Sequence, residues 1–232
     1  MRNKTYVYTG QENLEIMESA VNYNRYQYNF IWKEIDKIDK NIKKVLDFGA
    51  GRGTYADMFN NSGITIDCVE PDPKQAKILR QKGYRVYKDV KEVKAKYDVV
   101  YSLNVLEHIK DDGEALTSIK SCLSSKGVNV VYVPAFMMLF TKLDILVEHF
   151  RRYRIKDMRL LAQKSNLKLK SVQYCDPVGF TAALTYRVIG GSGNLRPRSI
   201  NIFDKYLFPV GVSLEPLTKR LFGKNILAVF SK

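Results

Sequence analysis

The chain has 232 residues, 45% of them hydrophobic, and a formal net charge of +14, which is long and apolar enough to bury a sizeable core within one domain. Its three cysteines, Cys68, Cys122 and Cys175, are odd in number, far apart and without a CxxC pair, which argues against a disulfide framework and a zinc knuckle and points to a reduced, intracellular setting. Residues 151–232 hold 16 Lys and Arg against 4 Asp and Glu, while residues 1–150 hold 22 against 20; the last third is therefore either a solvated basic surface or a face for an anionic partner such as a phosphate-bearing substrate, a lipid headgroup or nucleic acid.

In chain order, MRNKTYVYTGQENLE lacks the apolar core of a signal peptide, and no stretch reaches the ~18 apolar residues of a spanning helix, so a cytoplasmic protein is expected. Residues 1–41 read as a helical, aromatic cap, with apolar positions at helical spacing in QENLEIMESAVNYNRYQYNFIWKEIDKI. From residue 42 to 175 strand-like and helix-like runs alternate: KKVLDFG, a helix from about Thr54, ITIDCVE, a helix over DPKQAKILRQKG, YRVYKD, YDVVYSL, a helix over GEALTSIKSCLSS, GVNVVYVP, a helix over IKDMRLLAQKSN, and LKLKSVQYC. Such alternation predicts an α/β fold with helices on both faces of a mostly parallel sheet. Residues 176–224 break the pattern with glycines and prolines among apolar runs, predicting short helices and loops inserted before the final strand, 225–232. That insert reads as a lid, substrate pocket or membrane-contact element, or else as an oligomer interface or ordinary surface packing.

The loop VLDFGAGRGTYADMF carries Gly49, Gly51 and Gly53 between a strand-like and a helix-like run. A dinucleotide turn would read GxGxxG, and the spacing here is different. Asp47, two residues before the first glycine, would repel a pyrophosphate and suits a cationic ligand; S-adenosylmethionine carries an ammonium and a sulfonium and no phosphate. Glu70 ends the second predicted strand, where a carboxylate accepts ribose hydroxyls from either kind of cofactor. Asp89 follows the third strand, as an acceptor for an adenine amine or as a helix cap. Asn104 lies just past the fourth, at the carboxyl edge where open α/β sheets bind ligands.

DFGAGRG, VEPDP and YDVVYSLNVLEHIKDD, taken in order over about residues 42–134, resemble the class I S-adenosylmethionine-dependent methyltransferases. The resemblance implies a Rossmann-like seven-stranded sheet with an antiparallel last strand, S-adenosylmethionine as cofactor and S-adenosylhomocysteine as product. It places Gly49, Ala50, Gly51 and Gly53 at the methionine and ribose, Glu70 and Pro71 at the ribose, Asp89 and Val90 at the adenine, and Leu103 and Asn104 at the methionyl end. VPAFMMLFTKLDILVEHFRRYRIKDMRLLAQKSNLKL is similar to a segment of the type 11 and type 12 small-molecule methyltransferases, many of which accompany polysaccharide or lipid pathways. Their front segment also resembles NLEIMESAVNYNRY, which puts Tyr23 and Arg25 at the pocket. Glu148 stands where those relatives commonly show Gly.

Methyl transfer is an in-line displacement that needs proximity and a water-poor site more than a nucleophile, and an acceptor hydroxyl benefits from a base titrating near neutrality. The only histidines are His108 and His149, both expected at the carboxyl edge. His108 is a base or a residue shaping the cofactor loop; His149 faces substrate, with Arg151, Arg152 and Tyr153 beside it to fork onto an anionic group or to form surface ion pairs. The reading is O-methylation of a saccharide or lipid-linked acceptor, with no metal, no obligate protein partner, and peripheral contact with the inner membrane face through residues 176–224. A nucleic-acid, above all RNA, methyltransferase is the alternative suggested by charge, although SLNVLEH is unlike the Asp/Asn-Pro-Pro-aromatic motif of amino-methylating DNA enzymes. A chain that binds the cofactor without transferring methyl groups is the other.

Overall fold

A computed structural model describes residues 16–37, 43–189 and 197–232; the expected helix before residue 16 and the glycines at 190, 191 and 193 lie outside them. Seven strands form one sheet: β1 (Val45–Phe48), β2 (Ile66–Val69), β3 (Arg85–Tyr87), β4 (Tyr97–Leu103), β5 (Leu123–Pro134), β6 (Lys168–Cys175) and β7 (Asn225–Ser231), in the order β3-β2-β1-β4-β5-β7-β6. All pairings from β3 to β5 are parallel, and β7 runs antiparallel to both β5 and β6. Central strands here are covered on both faces, which is why they read as unbroken apolar runs rather than alternating ones. Along β4 every residue from Tyr97 to Ser102 is buried.

The helices are α1 (Val21–Asp36), α2 (Thr54–Asn60), α3 (Pro73–Gln81), α4 (Asp112–Cys122), α5 (Lys142–Leu146), α6 (Ile155–Lys164), α7 (Pro177–Ile189), α8 (Pro197–Ile202) and α9 (Phe208–Thr218). Local chemistry explains the sharpest start: Asp72 caps α3, its carboxylate accepting from Lys74 N and Gln75 N, and Pro73 sits at the first helical position where its missing N–H costs nothing. One face of the sheet packs Val100, Leu116, Ile119, Met158 and Phe230; the other packs Ile31, Phe59, Leu79, Val99 and Tyr101. After β1 the chain winds outward to β2 and β3, then returns to lay β4 on β1's other side. That reversal opens a crevice at the carboxyl ends of β1 and β4.

The described residues of 176–224 are more helical than the segment's glycines and prolines suggest, with 13 residues in α7 and 11 in α9. Pro216 is accommodated inside α9, and a wide five-residue π turn, Phe203–Leu207, joins α8 to α9. This insert roofs the crevice by docking on α1. Ala20 offers α1 no side-chain cap, and the Asp204 carboxylate supplies one from the insert, accepting from Asn22 N at 3.0 Å and Tyr23 N at 2.8 Å. Phe208 packs edge-on against Tyr23 and Tyr26, and the Tyr26 hydroxyl donates to Glu215. No described helix is long and apolar enough to cross a membrane.

Candidate active site

A cavity of about 380 Å³ fills the crevice under this roof. At one end lies the loop after β1. Gly49, Gly51 and Gly53 all take left-handed backbone, with φ of +84°, +55° and +86°. That backbone is the first reason each is glycine, and at two of them space is a second: a Cβ on Gly49 would meet Val105 at 2.4 Å and one on Gly53 would meet Leu79 at 2.7 Å. Glu70 is buried at the end of β2, its carboxylate accepting from Gly51 N at 2.7 Å and Asp72 N at 2.9 Å. Asp47 is 3% exposed and accepts from the Tyr101 hydroxyl at 2.8 Å; burial, with Glu70 adding to it, pushes its carboxyl up to about 8. An acid held that high gains most from a cationic neighbour. Tyr23, Asn24 and Gln27 of α1 close the wall opposite, with Ala50, Pro71, Leu103 and Asn104 also on the lining.

The other end is a side-chain network drawn from three separate segments. α5 ends in a Schellman turn in which His149 N bonds Asp144 O at 2.8 Å and Glu148 takes φ +61°. The same turn brings His149 Nδ1 to 2.8 Å from Asp144 Oδ1. Asp144 is 1% exposed and is gripped by Arg152, whose Nε donates to Oδ1 at 2.8 Å and Nη2 to Oδ2 at 3.0 Å. Burial alone would raise Asp144, yet the bonds from His149 and Arg152 outweigh it and hold the carboxyl well below the usual range. His108 lies edge-on to His149, ring centroids 4.5 Å apart, and burial with His149's influence lowers it to about 4. Glu107 is fully buried and pushed up to about 8 by that burial, with neither carboxylate oxygen hydrogen-bonded among the described residues. Lys224, also on the wall, is held below its ordinary range by burial.

Twelve of the sequence-derived candidates therefore meet on one cavity: Tyr23, Asp47, Gly49, Ala50, Gly51, Glu70, Pro71, Leu103, Asn104, His108, His149 and Arg152. Six do not line it. Arg25 is on the exposed side of α1, because helical spacing turns Asn24 and Gln27 inward instead. Gly53 is buried against Leu79 of α3. Asp89 is exposed and caps the turn at Val90–Glu92 by accepting from Lys91 N, while Val90 is in the core. Arg151 pairs with Asp112 at 2.7 Å and bonds Lys110 O, and Tyr153 is buried with its hydroxyl donating to the same Asp112. Only the middle residue of Arg151–Arg152–Tyr153 faces inward. Asp144, Glu107 and Lys224 were not singled out from the sequence: a lone Asp in an apolar stretch and a Lys before a strand carry no local pattern, and Glu107 was legible only as part of the LEH turn.

A seven-stranded sheet of this order and direction, with a glycine loop after β1 and an acid after β2, defines the class I methyltransferase fold. The family described as methyltransferase domain matches residues 23–172, and the chain belongs to it. It is an S-adenosylmethionine-dependent methyltransferase. Solved structures agree on the fold: a Galdieria sulphuraria protein named for sarcosine dimethylglycine methyltransferase (TM-score 0.59, 18% identity, 89% of this chain and 85% of that one), a SAM-dependent methyltransferase from Archaeoglobus fulgidus (0.57, 16%, 90% and 94%), and the magnesium protoporphyrin IX methyltransferase of Synechocystis PCC 6803 with bound SAM (0.55, 12%, 91% and 80%). No curated protein sequence matches the chain significantly.

Proposed function

We propose that this methyltransferase moves the methyl group of S-adenosylmethionine onto an oxygen of a small, anionic acceptor, a hydroxyl or carboxylate of a saccharide or lipid-linked intermediate. The observation that carries the reading is that one cavity holds the Gly51–Glu70 loop at one end and the Asp144–His149 pair at the other. Glu70 takes the ribose hydroxyls, Asp47 faces the cationic part of the cofactor, and Gly49, Ala50 and Gly51 present backbone to it, with Leu103 and Asn104 at the methionyl end. Tyr23 closes the wall. His149, its Nδ1 held by Asp144, accepts the acceptor's proton at Nε2 as the oxygen attacks the methyl carbon and the carbon–sulfur bond breaks. Lys224 and Arg152 supply positive charge for an anionic acceptor. The roof excludes water, so alignment in a dry site carries much of the rate, up to ~7 to 11 kcal/mol where geometry is good.

Calorimetric titration with S-adenosylmethionine and, in parallel, NAD tests the cofactor end. Wild type is expected to bind the former alone. Glu70→Ala, losing two hydrogen bonds to a charged group at about 1.5–3 kcal/mol each, should weaken binding by at least 100-fold, and Gly51→Val should abolish it. Equal binding of NAD would overturn the reading; methyl transfer to phosphorylated sugar and lipid acceptors, lost in His149→Ala, tests the acceptor end.

The roof also suggests where the protein works. Ile202, Tyr206, Leu207, Val210, Leu214 and Leu217 are exposed on α8, α9 and the turn between them, with Lys205, Lys219 and Arg220 nearby. Apolar side chains ringed by cations suit the face of an anionic bilayer, placing the enzyme peripherally at the inner membrane. Sedimentation with phosphatidylglycerol vesicles at low salt is expected, released by high salt; no sedimentation counts against it.

A further inference from the structure

The chain's only two histidines are 41 positions apart in sequence, yet their rings touch. One ligand-type atom from each of Glu107, His108 and His149 lies within 4.8 Å of the other two. Glu107 is 0% exposed, lines the cavity and has no hydrogen-bond donor among the described residues; His149 Nε2 lies 3.8 Å from its Oε1. A buried carboxylate left this way is costly unless a cation arrives. The surroundings are arranged around the three groups. Asp144 holds Nδ1 of His149 and so aims Nε2 at Glu107, Arg152 holds Asp144, and the backbone of Val147 and Glu148 holds the His108 ring. A carboxylate behind a ligating imidazole is the usual outer layer of a metal site.

We infer that Glu107, His108 and His149 bind one divalent transition-metal ion, of the zinc class, at the acceptor end of the cavity. Two imidazoles and one carboxylate favour zinc and its neighbours over magnesium or calcium, which prefer all-oxygen shells. Tetrahedral zinc with bonds of about 2.0–2.2 Å sets its ligand atoms about 3.4 Å apart, so the three groups need only contract around the ion. A fourth position then opens to the cavity, where an acceptor hydroxyl would bind and become more acidic. That last step rests on the acceptor-end reading above, and under it the ion takes over the activation assigned to His149; binding of the ion itself does not depend on it.

The test uses the full, untagged, chelator-treated chain, so that no other histidine is present. Calorimetry with zinc chloride is expected to show one ion per chain at micromolar affinity or better. Cobalt chloride should give visible bands of nitrogen and oxygen ligation that zinc abolishes. Glu107→Gln keeps the side chain's volume and should weaken zinc at least 10-fold; His149→Ala and His108→Ala should weaken it further, each with a wild-type circular dichroism spectrum. Absence of stoichiometric zinc in the wild type, affinity unchanged in Glu107→Gln and His149→Ala, or intense thiolate bands with cobalt would each overturn the proposal. Wild-type titration with S-adenosylmethionine separates the two readings, since failure of zinc with cofactor binding intact removes the ion alone.

Discussion

The two ends of the cavity are built by opposite means. The cofactor end is mostly backbone: a glycine loop in left-handed conformations, strand ends, and two buried carboxylates, Glu70, braced by two N–H groups of neighbouring loops, and Asp47, bonded by the Tyr101 hydroxyl. The acceptor end is mostly side chains, an Asp144–Arg152–His149 network beside the buried Glu107, whose carboxylate oxygens have no hydrogen-bond donor among the described residues, pinned between the turn after β4 and the turn after α5 by the bond from Phe150 N to Glu107 O. Backbone sites are fixed by the fold and tolerate change around them. Side-chain networks stand or fall together, because each buried charge is tolerable only while its partner is present.

The largest expected effect follows from that dependence. Arg152→Ala leaves Asp144 buried without its guanidinium, and breaking such a pair costs about 3–5 kcal/mol, a fall of roughly 6–20 °C in a chain of this size by thermal melting. Glu70→Ala takes the acceptor from Gly51 N and Asp72 N, but the cavity lets water reach them, so the melting temperature should fall less than in Arg152→Ala while cofactor affinity is removed. If Arg152→Ala melts like wild type, or Glu70→Ala unfolds, the contrast between the two ends is wrong.

A middle-sized effect concerns pH. Asp47 has its carboxyl raised from 3.8 to about 8, so the folded chain holds a proton there that the unfolded chain releases. Its contribution to stability is fully present below pH 3.8 and is lost as pH rises through about 8. Glu107, also near 8, acts in the same direction, whereas His108, lowered from 6.5 to about 4, opposes both only below 6.5. Between pH 6.5 and 8.5 the free enzyme should therefore lose stability as pH rises, and S-adenosylmethionine should bind more tightly as Asp47 ionises to meet its charge. Asp47→Asn is expected to flatten both slopes without removing the Glu107 part. Melting scans across that range, with and without cofactor, check it; a variant whose cofactor affinity keeps the wild-type slope would separate Asp47 from the cationic end of the ligand.

The same contrast explains what could be read without coordinates. The glycine-loop end of the cavity was legible because its pieces follow one another within single strand-loop-helix units, each with its own spacing rule, so that Asp47, Gly49, Gly51, Glu70 and Asn104 could be brought to one cavity by counting. The central strands β1, β4 and β5 were legible as apolar runs, whereas the edge strands β3 and β6 are short or alternate with polar residues and were legible from their place in the strand-helix alternation. For Asp89 spacing left a ligand contact and a capping bond open, and the cap is what forms; Arg25 does not line the cavity, because spacing does not resolve which way a residue on α1 is turned. At the acceptor end Asp144 acts through His149 and Arg152, across a turn whose shape depends on a left-handed residue that happens not to be glycine. Tyr153 lies next to Arg152 yet points into the core, since alternate residues of an extended segment face opposite ways.

That left-handed residue gives the smallest expected effect and the finest test. Glu148 follows the last turn of α5 at the position where a helix closing in a Schellman turn favours glycine, and its φ of +61° strains any other side chain. Glu148 is exposed, so its carboxylate has little to offset that strain. Glu148→Gly relieves it but frees the unfolded chain, and the two effects leave a net gain of at most about 1 kcal/mol, or roughly 2–4 °C. Cofactor affinity should not change, because the cofactor end does not touch this turn. His149 hangs from the same turn through its bond to Asp144 O, so a glycine that stabilises the fold while slowing methyl transfer would mean that the glutamate's stiffness, not its charge, keeps the imidazole in place.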